Sequence, residues 1–162
     1  MAHKIANHIL IPEIAGLVAG GQDVLFTPSG VSMRPFIEGG RDSVVLTRAE
    51  EVRVGDVVLA QYGDIYVLHR VYRINSINPS SSSAATSSAS GATSIILMGD
   101  GNLRGEEHIR QEDILAKVKE IRSPRGHRKP LTRACLWRHL LPIRWLLLKI
   151  YRKSLRVVVR GR

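Results

Sequence analysis

The sequence predicts a mainly β domain, a mostly antiparallel sheet or distorted barrel, preceded by one short helix and followed by a basic tail. Three observations carry this reading. Six short runs rich in Val, Ile and Leu alternate with turn signals. A single stretch with helical periodicity comes before them. Charge then divides the chain: residues 1–121 hold 11 Lys/Arg against 14 Asp/Glu, while residues 122–162 hold 13 Lys/Arg and no acid.

The elements follow in chain order. Residues 1–23 form an N-terminal helical segment, because Ile11, Ile14, Leu17 and Val18 recur at helical spacing within 5–20 and Gly20-Gly21 ends the pattern. Strands are predicted over 24–27, 43–47, 56–61, 64–74, 95–99 and 113–121, all within a domain spanning 24–121. Gly39-Gly40, Gly55-Asp56 and Gly63-Asp64 supply turns between several of them. Residues 78–94 (NPSSSSAATSSASGATS) are small and polar, and bury too little apolar surface to offset ordering entropy. They are predicted to be a mobile insertion in the domain, tolerated because closure entropy grows only logarithmically with loop length.

The tail, 122–162, projects as an amphipathic helix interrupted at Pro142. Leu136, Leu140, Ile143, Leu147 and Ile150 fall on one face, and Arg138, Lys149, Arg152, Lys153 and Arg156 fall opposite. Such a helix either lies on an anionic membrane surface or packs its leucine face on the domain. Nucleic acid is not an expected partner, since the tail has too few aromatic residues for a stacking platform.

Composition removes other classes. At 162 residues the chain suits one domain with a real core. The lone Cys135 excludes an internal disulfide and a thiolate metal site, and no cofactor motif is present. The apolar stretch Ile5–Val24 is interrupted by Pro12, Glu13 and Asp23, so it suits neither a membrane span nor a secretory signal. The expected location is cytoplasmic, with peripheral attachment to the inner membrane face through the tail.

Chemistry concentrates in three places. Ser32 lies in "TPSGVSMRPFIEGGRDSVVL", a small hydroxyl in a turn-rich stretch. Of six histidines only His69, in "VLHRV", is embedded in a strong strand pattern. Asp100 ends a strand in "IILMGDGN". Taken singly, each also reads as ordinary turn or strand chemistry.

Together, "SGVSMRPFI" (29–37), "VRVGDVVLA" (52–60), "IYVLHRVYRI" (65–74), "LMGDGN" (97–102) and "DILAKVKEI" (113–121) resemble the signal peptidase and LexA-like superfamily of serine peptidases. The resemblance spans residues 24–121 and is closest to the Ser-His variants, the endoplasmic-reticulum and archaeal-type signal peptidases. It implies a distorted β-barrel and a serine endopeptidase acting on a peptide or protein substrate. Ser32 becomes the nucleophile, His69 the base, and Asp100 or alternatively Glu106 the acid that orients the imidazole. Ser29 becomes a helper at the oxyanion hole, and Met33 part of the substrate-binding cleft floor. The sequence departs from the family in "LRGEEH" (103–108), where the family's acidic pair would follow, and in having no anchor segment. A non-catalytic peptide-binding or regulatory domain of the same fold is the alternative function.

Overall fold

In a computed structural model, residues 7–76, 93–102, 105–131 and 145–150 are described. The chain is mainly β, with a curled antiparallel half-barrel sheet and a short N-terminal helix. Helix α1 spans Asn7–Ala19. The strands are β1 (Val24–Phe26), β2 (Ser43–Thr47), β3 (Val57–Tyr62), β4 (Ile65–Ser76), β5 (Thr93–Met98), β6 (Glu107–Arg110), β7 (Ile114–Arg122) and β8 (Arg128–Lys129). They join in the order β1-β2-β7-β3-β4-β5-β6, with β8 paired to β7.

α1 buries Ile11, Ile14 and Val18, whereas Leu17, expected on the same face, is 45% exposed. The helix ends where Gly21 takes φ +86°, a conformation costly for other residues. There Gln22 N–H donates to the Leu17 carbonyl and Gly21 N–H to that of Val18, satisfying the last carbonyls.

β3 lies at the centre because both its faces are apolar. Val57 and Leu59 pack with α1, Met33 and Ile37, while Val58 and Ala60 pack with Val67, Val71, Ile95 and Leu97. The β3–β4 register pairs Tyr62 with Ile65, so Gly63-Asp64 forms the two-residue turn that the sequence predicted.

Several boundaries differ from the sequence reading. β5 begins at Thr93, inside the stretch assigned to the 78–94 insertion, and the rest of that insertion lies outside the described residues. β6 was not predicted, since only Ile109 among its four residues is apolar. β7 runs through Arg122 and turns back into β8, so the domain continues beyond residue 121. Arg122 and Arg128 meet Glu120, and Lys129 meets Asp42, so the first part of the basic tail belongs to the sheet. The predicted tail helix falls largely outside the described residues. Residues 145–150, here α2, are helical, with Leu148 buried rather than Ile150. Among the described residues no helix is long and apolar enough to cross a membrane.

Candidate active site

Ser32 sits on a folded turn between β1 and β2. Gly40 N–H donates to the Pro28 carbonyl at 2.7 Å, closing the base of the segment. Within it, Phe36 and Ile37 N–H both donate to the Met33 carbonyl. Met33 and Ile37 are buried and root the turn in the core, leaving Ser32 half-buried beside the exposed Val31. Gly30, at φ +99°, packs against Gly39 so closely that a Cβ on Gly39 would collide with the Gly30 carbonyl.

His69 belongs to β4 and pairs with Val58 of β3, so the middle of the sheet fixes it. It is 6% exposed, and its Nδ1 lies 3.0 Å from Glu107 Oε2 on β6. The other ring nitrogen faces the serine turn. A Cβ placed on Gly99 would lie 3.0 Å from His69 Nε2 and 2.7 Å from the Ser32 carbonyl oxygen. Gly99 follows β5 directly, one step beyond the Arg70–Met98 pair, so the imidazole lies across a position with no side chain.

The Gly99-Asp100-Gly101 loop docks on the serine turn for the same reason. Gly101 N–H donates to the Ser32 carbonyl at 2.6 Å, and a Cβ there would come within 2.7 Å of the Val31 carbonyl. Ser32 and His69 consequently line one open cavity of about 150 Å³, shared with Ser29, Met33 and Leu68. Met33 belongs to the core and also lines the cavity.

The acid differs from the one expected. Asp100 is 2% exposed and grips Arg70, with Nε 2.9 Å from Oδ1 and Nη2 2.8 Å from Oδ2. Arg70 also donates to the Gly55 carbonyl at 2.6 Å and lies over the Phe36 ring. Asp100 thus joins β4, the 99–102 loop and the β2–β3 turn, and Glu107 takes the place at Nδ1. Glu106, the other candidate, lies 3.9 Å from exposed His108 Nε2. The strand boundary separates the two glutamates: Glu107 opens β6 on the face of buried Ile109, and Glu106 precedes the strand. Reading "EHIR" as a strand, with its single apolar residue marking the inner face, would have identified Glu107.

A second buried acid supports the turn from beneath. Asp42 Oδ2 accepts from Glu38 N–H at 2.9 Å and from Lys129 Nζ at 2.5 Å. Burial pushes the Asp42 carboxyl up, but the bonds from Lys129 and Glu38 and the charges of Lys129 and Arg41 more than offset it. The balance leaves the group below 3.8. Among the described residues no cluster of His, Cys, Asp and Glu could hold a metal ion.

Neither a scan of protein-family models nor a search of curated proteins returns a match for this chain.

Proposed function

We propose that the chain is a serine endopeptidase of the signal-peptidase-like class, built on the distorted barrel of that superfamily. The observation that carries this is the clamped imidazole: Nδ1 on Glu107, Nε2 toward the Ser32 turn, with Ser32 and His69 in one open cavity. Ser32 Oγ attacks a peptide carbonyl carbon as its proton passes to His69 Nε2. His69 then returns that proton to the departing amine, leaving an acyl ester on Ser32 that water hydrolyses by the same path reversed. Glu107 accepts from Nδ1–H, which fixes the tautomer and stabilises the imidazolium. The Ser32 backbone N–H serves as an oxyanion donor in this scheme. β1 ends the strand order immediately before the serine turn, so its outer edge offers an extended substrate a place to pair.

The test is covalent labelling with a fluorophosphonate, which reports an activated serine without knowledge of the substrate. The natural chain should be labelled, and Ser32→Ala and His69→Ala should each abolish labelling while shifting stability by only about 1–2 kcal/mol. A folded natural chain that resists the probe would leave a peptide-binding domain as the reading.

A further inference from the structure

The geometry points to α2 as a docking surface for an anionic lipid bilayer, with the basic sequence on either side of it supplying charge, independent of the chemistry at Ser32. α2 presents two unlike sides. Leu148 is buried to 2% exposure, while Trp145, Leu146 and Ile150 are 55%, 49% and 57% exposed. Packing therefore buries Leu148 and half-buries Leu147, and leaves the other three apolar side chains of this helix facing outward. Isolated exposed apolar residues need no explanation, but three within six residues, one of them Trp, form a wedge suited to the headgroup boundary. Lys149 Nζ lies 4.9 Å from the Trp145 ring centroid, placing a cation on the same exposed side of the helix.

Charge selects the occupant. Arg122, Arg128 and Lys129 are engaged by Glu120 and Asp42, so they do not count toward a docking field. Residues 132–162 still carry nine Lys/Arg and no Asp or Glu. Each cation held near an anionic leaflet adds roughly fivefold to affinity. Phosphates of a nucleic acid would satisfy the charge but would leave the apolar wedge in water, whereas a bilayer takes both. With no described helix able to cross, attachment is to the surface.

Sedimentation of the full chain with phosphatidylcholine vesicles, with and without phosphatidylglycerol, tests this. Binding should require phosphatidylglycerol and fall at least about tenfold as salt rises from about 0.1 to about 0.5 M. The triple variant Trp145→Gln, Leu146→Gln, Ile150→Gln alters only exposed positions and should bind at least about tenfold more weakly. In a Trp137→Phe background, brominated lipid should quench Trp145 fluorescence. Undiminished binding by the triple variant, equal binding to neutral vesicles, or unquenched Trp145 would each overturn the proposal. So would tight binding of duplex DNA by a chain that ignores both vesicle types.

Discussion

Glu107 and Asp100 reach the site from the two ends of the β5–β6 connection, and their partners separate their tasks. Glu107 meets a neutralisable imidazole, so removing its charge should change chemistry more than stability. Glu107→Gln keeps the shape but loses the anion that holds Nδ1–H, and labelling of Ser32 should slow by about 10²–10⁴. Asp100→Asn instead leaves the Arg70 guanidinium, whose side chain is 9% exposed, without its carboxylate. Loss of one partner of a buried pair costs about 3–5 kcal/mol. Urea unfolding alongside labelling rates separates the two. A slow but fully stable Asp100→Asn protein, beside an unimpaired Glu107→Gln, would reverse the assignment. Ser32 and His69 line one cavity, as the order of the sequence blocks implied, although each alone reads as ordinary turn or strand chemistry. The acid was not legible, because the glycines that made Asp100 resemble a cleft residue are there for another reason. They let the loop approach the Ser32 and Val31 carbonyls. Arg70, next to His69, gave no warning in the sequence that it would be buried.

Between residues and the whole lie two elements that hold the serine turn from opposite sides. On one side is the 99–102 loop. Gly99→Ala would press a methyl group against the Ser32 carbonyl, Asn102 Nδ2 and His69 Nε2, all within 3.0 Å. Displacement of about 1 Å between reacting groups costs about 10²-fold in rate. Labelling should fall by that order, even where circular dichroism shows an unchanged sheet. On the other side β8 supplies Lys129 to Asp42. Because the Asp42 carboxyl is held below 3.8 in the folded chain, its contribution to stability is present in full above 3.8 and disappears as pH falls below that value. Lys129→Met should remove about 1–3 kcal/mol near neutral pH, since the carboxylate stays buried with fewer partners. The deficit should narrow as pH falls below the ordinary carboxylate range and Asp42 takes up a proton. Urea midpoints of both proteins at several pH values check this, and a constant deficit would show that the pair does not titrate as argued. β8 itself was hidden in the sequence: Arg128 and Lys129 look like tail charge until Glu120 and Asp42 are seen opposite them.

At the scale of the molecule, the strands most legible in the sequence are those buried on both faces. β3 and β5 show as apolar runs, VVLA and IILM, because neighbours cover them above and below, whereas the middle of β4 is interrupted by His69 and Arg70. β6 and β8 lie at the margins of the sheet and carry mostly charged residues, so no apolar run announces them. The same contrast has a consequence for how the protein fails. Ser32 is rooted in the core and His69 in a central strand, but Glu107 stands on β6, the last strand in the order, which pairs with β5 through four residue pairs. Marginal strands open at lower free energy than central ones. Warming should then detach the acid first, letting the imidazole swing out of register while the rest of the sheet is still intact. The loss of probe reactivity on heating would precede the loss of ellipticity by several degrees and reverse on cooling, a fever that disarms the serine before it melts the protein.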